Sequence, residues 1–297
     1  MAILAIDIGG TKIKAGIVSK DYSLLSSIRI STNPKQGKTK ILSSLRLIVT
    51  SLIEGSKHKI TAIGISMPGR VDDVGKILEC GTVLSFLVGF NLKKYLEKYF
   101  KIPVIVKNDS LCFTVAESIF GAGKNHSDVL GVIWGSGVGA AIVKDSSNKK
   151  LSSNFCSTLE FGHSYVYDSY SNKYVKLELL IGGSFIKKRY SDLGGKIKNP
   201  TVGDIYSSKE RLAKNLMRES FELLGMSLAN LINLVNPDVV VLGGGVAKLP
   251  SSAYKLIFSQ LKKYSLPSHI KGVTLRRFKI SDDEGLLGAA YLASLGK

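Results

Sequence analysis

Cysteine is scarce in this chain. There are three, Cys80, Cys112 and Cys156, and no two are spaced as a pair. A disulfide scaffold is therefore excluded and a reducing compartment is expected. No C-x-x-C and no H-E-x-x-H string occurs, so the common zinc signatures are missing. No apolar run approaches the roughly 20 residues that a membrane-spanning helix needs. The N-terminus, Met-Ala-Ile-Leu-Ala-Ile-Asp, lacks a basic leader and meets an acid at position 7, which argues against a secretory signal. These absences point to a soluble, cytoplasmic protein that does not engage a membrane.

The chain has 297 residues, a length that suits two lobes, and 44 % of them are hydrophobic, enough for sizeable cores. The balance of 41 Lys and Arg against 23 Asp and Glu leaves a net charge of +18. That charge alone does not indicate a nucleic-acid partner. The lysines are scattered, as at Lys93, Lys94, Lys98 and Lys101, where a helix shows its wet face. Aromatic residues do not interleave with them as a base-stacking platform requires. A positive field that draws in anionic substrates such as a nucleotide is the functional remainder.

Hydrophobic patterning divides the chain into two similar halves. Residues 2–8 and 13–19 read as strands around Gly9-Gly10-Thr11-Lys12, and 24–30 as a third strand. Ile41, Leu42, Leu45, Ile48, Val49, Leu52 and Ile53 follow helical spacing over 38–54, with Gly55 as a stop. Residues 60–66 are a strand ending in Pro68-Gly69. Asn91 caps a helix to Phe100, 103–107 is a short strand, and a helix follows Asp109. The pattern then restarts, with a strand at 129–134, the turn Gly135-Ser136-Gly137-Val138-Gly139 and a strand at 140–144. Residues 145–207 are less regular. A long helix over about 208–234 ends at Asn236-Pro237. A strand at 238–242 runs into Gly243-Gly244-Gly245, and a helix near 252–263, a strand near 273–280 and a helix near 284–295 complete the pattern. Alternating strands and helices in both halves predict two α/β lobes, 1–109 with 284–297 and 110–283, with a ligand cleft between them.

Three glycine turns carry the chemistry. Asp7-Ile8-Gly9-Gly10-Thr11-Lys12 lets backbone N–H groups approach phosphate oxygens, with Thr11 adding a hydroxyl and Lys12 a charge. Asp7, at the end of a buried strand, suits Mg²⁺ held through water. An ordinary hairpin turn gives the same string. Gly135-Ser136-Gly137 also sits between strands and opens a strand, so it is neither a dinucleotide fingerprint nor a P-loop. One such hairpin loop in each half is a far more specific signal than either alone. Gly243-Gly244-Gly245 lets a flat base or ribose lie on backbone, and also suits a plain strand-to-helix turn. Asn108-Asp109 sits where a strand meets a helix. Asp109 is either an N-cap or a carboxylate that takes the proton of an attacking hydroxyl, its pKa held low by the helix N-terminus.

Taken in order, Asp-Ile-Gly-Gly-Thr-Lys, Asn108-Asp109, Gly-Ser-Gly-Val-Gly, Glu160-Phe161-Gly162-His163, Val-Val-Leu-Gly-Gly-Gly and Glu284-Gly-Leu-Leu-Gly-Ala-Ala290 resemble the ROK family of sugar kinases and repressors. That family lies in the actin/hexokinase/Hsp70 ATPase superfamily. The resemblance covers nearly the whole chain. It implies two ribonuclease-H-like lobes, ATP with Mg²⁺ as cofactors, and a hexose or N-acetylhexosamine as substrate. It makes Asp7, Gly9, Gly10, Thr11, Lys12, Gly135, Ser136 and Gly137 phosphate-binding, and Gly243, Gly244 and Gly245 adenosine-binding. Asp109 becomes the catalytic base, with Asn108, Glu160, His163 and Glu178 holding sugar hydroxyls and Gly69 offering backbone contacts. Carboxylates suit vicinal diols because each accepts two hydrogen bonds.

The departures are informative. Many family members follow this histidine with a cysteine triad that binds structural zinc, whereas 164–177 holds no cysteine, so no structural zinc is expected. The stretch 152–159 lacks the usual glycines, which bears on sugar preference. Repressors of the family carry a helix-turn-helix domain before the first phosphate loop, and here that loop begins at Asp7. The expected activity is a glucokinase- or hexokinase-type phosphorylation at the primary hydroxyl, as in glycolysis. A sugar-sensing regulator without kinase activity is the alternative. The family is often dimeric, so a homodimer is the assembly it suggests.

Overall fold

The structure, a computed structural model, describes residues 1–145 and 156–296, and at position 82 the backbone only. The chain forms two compact units, Met1–Ala116 with Ile280–Lys297, and Glu117–Lys279. The boundaries expected from sequence lay at 109/110 and 283/284. No helix among the described residues is long and apolar enough to cross a membrane.

The first unit contains β1 (Ala2–Ile8), β2 (Lys12–Ser19), β3 (Leu24–Ser31), α1 (Gly37–Glu54), β4 (Ile60–Met67), β5 (Arg70–Val71), β6 (Ile77–Glu79), α2 (Leu92–Phe100), β7 (Val104–Asn108) and α3 (Asp109–Ile119). Its sheet runs β3-β2-β1-β4-β7, antiparallel through β1 and parallel beyond it. β1 is apolar almost throughout because both of its faces are covered. Leu4, Ile6 and Ile8 join the core beneath α1, while Ile3 and Ala5 face the C-terminal helix Glu284–Ser294. Period-two alternation therefore turns Asp7 toward that helix. α1 buries Ile41, Leu42, Leu45, Ile48, Val49 and Leu52, as its spacing predicts. Each such burial is worth about 1.5–3 kcal/mol of transfer free energy. Asn91 caps α2 as expected, accepting from Lys94 N at 2.8 Å.

The second unit repeats the plan. It holds β8 (Val129–Trp134), β9 (Val138–Val143), β10 (Cys156–Leu159), β11 (Tyr165–Asp168), β12 (Lys173–Lys176), α4 (Glu178–Ile181), α5 (Gly183–Asp192), α6 (Val202–Ser207), α7 (Arg211–Val235), β13 (Val239–Gly243), α8 (Ser251–Tyr264), α9 (Pro267–Ile270) and β14 (Thr274–Arg277). The sheet order β10-β9-β8-β13-β14 has the same succession of antiparallel and parallel pairings as the first. The C-terminal helix α10 (Glu284–Ser294) belongs to the first unit.

Several boundaries differ from the sequence reading. β9 starts at Val138, because the glycine turn closes at Gly137. α7 starts at Arg211 and ends as predicted, with Asn236 in the left-handed region at φ 46° ahead of Pro237. Between 156 and 207 the structure has three strands and three helices where no regular pattern was legible. Most of these are four to six residues long, too short to display a period. Residues 152–155 of the glycine-poor stretch lie outside the described residues.

Candidate active site

In the first unit, the parallel strands β1, β4 and β7 end side by side; β1 carries the predicted Asp7, β7 ends on the predicted Asn108, and β4 leads into the predicted Gly69. This is the edge of an α/β sheet where ligands usually bind. Ser66, at the end of β4, donates its hydroxyl to Asp7 Oδ1 at 2.7 Å. Asn108, at the end of β7, donates from Nδ2 to Gly69 O at 2.9 Å. Gly69 has φ 96°, and a Cβ there would lie 2.1 Å from Glu79 O, so only glycine fits this turn. The hairpin between β1 and β2 closes through Gly9 N donating to Lys12 O at 2.9 Å. Thr32 then ties two loop carbonyls, through its hydroxyl to Gly9 O (2.7 Å) and its N–H to Thr11 O (3.0 Å). Two of the loop's carbonyls are thus engaged within the unit, and backbone N–H groups are what such a turn offers to an anion.

Asn108 Oδ1 accepts from Ser110 N (2.9 Å) and Leu111 N (3.3 Å), the pattern of a helix cap. The cap of α3 is thus Asn108, not Asp109. Asp109 is left as the first helical residue, with Ser110 N donating to its Oδ1 at 2.8 Å. Its pKa also departs from expectation. Burial, and then the charge of Asp7, push Asp109 up to about 6, against the opposing hydrogen bonds from Ser110. Desolvation outweighs the helix N-terminus here. Burial raises Asp7 as well, opposed by the Ser66 hydroxyl and by Lys12 and Lys14.

Lys14 belongs to this site although no motif singled it out. It stands directly across from Asp7 in the β1–β2 register. Its ammonium pairs with Asp283, the residue before α10, and donates to Asp282 O at 3.1 Å. α10 packs closely against the site. A Cβ on Gly285 would lie 2.5 Å from the Asp7 carboxylate, and one on Gly288 would lie 1.9 Å from Cys112 O in α3.

In the second unit, backbone meets backbone at three glycine turns. Gly135 N donates to Gly137 O at 3.0 Å. At the start of α5, Gly183 N donates to Gly135 O (2.8 Å) and Ser184 N to Ser136 O (3.0 Å). Gly244, at φ 86°, has no room for a Cβ, which would sit 2.6 Å from Trp134 O. The Gly135 and Gly243–Gly245 turns thus come together. Gly182-Gly183-Ser184 joins them unpredicted, although its paired glycines after an apolar turn were a usable signal.

Glu160, His163 and Glu178 also come together. His163 Nε2 lies 3.4 Å from Glu178 Oε1 and its Nδ1 3.9 Å from Glu160 Oε2. Gly162 between them is required, because a Cβ would meet Val138 O at 2.2 Å and Glu178 Cβ at 3.3 Å. The other carboxylate oxygen of Glu178, Oε2, lies 3.1 Å from where a Gly137 side chain would begin. One carboxylate therefore touches the histidine cluster on one side and the glycine loop on the other.

The ROK family profile matches residues 3–295. The chain belongs to the ROK family. A β-glucoside kinase from Listeria monocytogenes is 25 % identical over 299 residues, covering 98 % of this chain and 97 % of its own. A solved ROK family glucokinase from Streptomyces griseus, in complex with glucose and AMPPNP, superposes with a TM-score of 0.79 at 26 % identity, covering 99 % of each chain. A ROK family transcriptional regulator, a homologue of the E. coli MLC protein, superposes with a TM-score of 0.83 at 20 % identity, covering 99 % of this chain and 78 % of its own. The fold of this ROK protein is the actin-like ATPase fold of those kinases.

In this ROK chain the cysteine-free stretch after His163 forms the hairpin β11–β12. Among the described residues no group of three or more His, Cys, Asp or Glu is placed to hold a metal ion. Elemental analysis of the purified protein is expected to find zinc far below one equivalent per chain. About one equivalent that survives mild chelation would contradict this.

Proposed function

We propose that this protein is an ATP-dependent sugar kinase that phosphorylates a hexose at its primary hydroxyl, with Asp109 as the general base. The observation that supports it most is the double contact of Glu178, a diol-binding carboxylate set against a phosphate-type glycine loop. In this reading Glu160, His163 and Glu178 hold vicinal hydroxyls. Gly9–Lys12 and Gly135–Gly137 hold phosphate oxygens through backbone N–H groups, and Gly243–Gly245 lies under the adenosine. The sugar oxygen attacks the γ-phosphorus and the bond to ADP breaks. The hydroxyl proton passes to Asp109, whose pKa near 6 leaves it mostly ionised at neutral pH yet more basic than an ordinary aspartate. The Asn108 acceptor oxygen is committed to the α3 cap, so Asn108 offers a sugar only its remaining N–H.

Mg²⁺ fits the donor chemistry. The charge of Asp7 helps to raise the pKa of Asp109, both side chains present only oxygen ligands, and Mg²⁺ takes one or two carboxylates alongside water and phosphate oxygens. Asp7 would hold it. The ion would neutralise charge on the phosphates.

The sugar remains open among glucose, mannose, fructose, their N-acetyl forms and β-glucosides. A coupled ADP-release screen over these compounds, with ATP and Mg²⁺, tests the reading. Turnover that depends on at least one sugar is the expected result. A sugar that binds by calorimetry with no ADP release from any compound would replace the kinase reading with a sugar-sensing regulator.

A further inference from the structure

His163 and Glu178 lie at the two ends of one chain segment. It runs out as β11 and back as β12, and Leu177 N donates to Ser164 O at 2.7 Å to close its base. Val166 and Val175 pack on the core of the unit, and Tyr167 meets Tyr174 edge-on on the opposite face with centroids 5.5 Å apart. At the tip, Asp168 is buried and accepts from Tyr170 N, Ser171 N and Ser171 Oγ at 3.2, 3.3 and 2.6 Å.

Arg189, from α5, grips this segment at several points. Its guanidinium lies 3.8 Å from Asp168 Oδ1 and 5.6 Å from the centre of the Tyr170 ring. Nη1 donates to Leu180 O at 3.4 Å, inside the short helix α4 that opens on Glu178. Nη2 donates to both carboxylate oxygens of Glu219 in α7, at 3.1 and 3.3 Å. The side chain is 15 % exposed. At its other end, α5 is bonded through Gly183 and Ser184 to the glycine loop. One planar cation thus joins the hairpin tip, the α4 turn and α7. Lysine would present one point charge to the same three directions, whereas the arginine fork reaches them together.

We propose that Arg189 is a positioning residue for sugar recognition. By clamping the hairpin and the α4 turn it fixes the separation of His163 and Glu178, and so sets affinity for the sugar. This rests on the assignment of His163 and Glu178 to sugar binding.

The test compares wild type, Arg189→Gln, Arg189→Lys and Lys188→Ala. Lys188 is the neighbouring exposed residue, paired among the described residues with Asp192 of its own helix. The readouts are sugar KM, ATP KM, kcat and amide hydrogen exchange without ligand. Arg189→Gln is expected to speed exchange across residues 164–181 while that of α8 stays unchanged. It should raise sugar KM about tenfold or more, within the hundredfold that a misplacement of about 1 Å costs, with ATP KM within about twofold. Arg189→Lys should fall between, and Lys188→Ala should match wild type. Exchange in 164–181 that does not quicken, or sugar and ATP KM rising together, would overturn the proposal. If Arg189→Gln does not fold, Arg189→Lys carries the same comparison. An inactive wild type would count against the kinase reading, while the exchange data would still judge the clamp.

Discussion

Asp109→Asn is expected to lower kcat by about 10²–10⁴-fold, the usual worth of a general base, while calorimetric sugar affinity changes little. Asparagine keeps the size and the acceptor oxygen that Ser110 N reaches, so the sugar still docks. What is lost is the group that takes the proton. Glu160→Gln is expected to do the reverse, chiefly weakening sugar binding, because an amide has one acceptor oxygen for a diol where a carboxylate has two. An Asp109→Asn enzyme that keeps more than about a tenth of wild-type kcat, below the lower end of that range, would show that the base lies elsewhere.

The raised pKa of Asp109 adds two signatures. Wild-type kcat should fall as pH drops through about 6, where the carboxylate takes up a proton. Stability should move the other way. The folded protein disfavours the ionised form, so between the ordinary carboxylate pKa and about 6 it binds more protons than the unfolded chain. Its stability therefore decreases as pH rises through that window. Asp109→Asn removes the buried charge, so its melting temperature should exceed wild type at pH 8, and the gap should close toward pH 4. A variant that melts lower than wild type at pH 8 would show that the carboxylate stabilises the fold, contrary to the burial argument.

Gly288→Ala is expected to be the most damaging single-methyl change in the first unit. The added carbon would sit 1.9 Å from Cys112 O, 2.5 Å from its carbonyl carbon and 2.7 Å from its Cα, all backbone. No rotamer relieves this, so α3 and α10 must separate. Overpacking of a core typically costs about 1–3 kcal/mol, and a clash with backbone belongs at the top of that range or above it. The same displacement moves Asp109 at the start of α3 and loosens α10 from Asp7, so kcat should fall with stability. Gly272→Ala is the control. Nothing lies within 4 Å of its new carbon, and its backbone conformation suits alanine. Denaturant unfolding of both variants decides the matter. Equal midpoints for Gly288→Ala and wild type would refute the close helix contact.

Much of this protein was determined by its sequence alone. Two rounds of strand, glycine turn and strand follow from local rules, because alternation and turn chemistry act over a few residues. β1 was legible as a buried strand, and α1 from seven apolar positions at helical spacing, of which Ile53 alone is only partly buried. Each glycine loop, Asn108-Asp109 and Glu-Phe-Gly-His is a short contiguous string, so order and spacing carried them, and with them the family. Only the tertiary structure decided the rest. Asp109 is pushed up to about 6 because it is buried and, after that, because Asp7 approaches it from another strand, which no local signal encodes. Asn108 rather than Asp109 caps α3 because the helix already begins at Asp109. Lys14 joins the site through cross-strand register, Gly182-Gly183 through contact with a loop far away in sequence, and Arg189 through three elements it touches at once. Long-range packing sets desolvation, charge proximity and side-chain reach, and these are the quantities that turn a motif into a site.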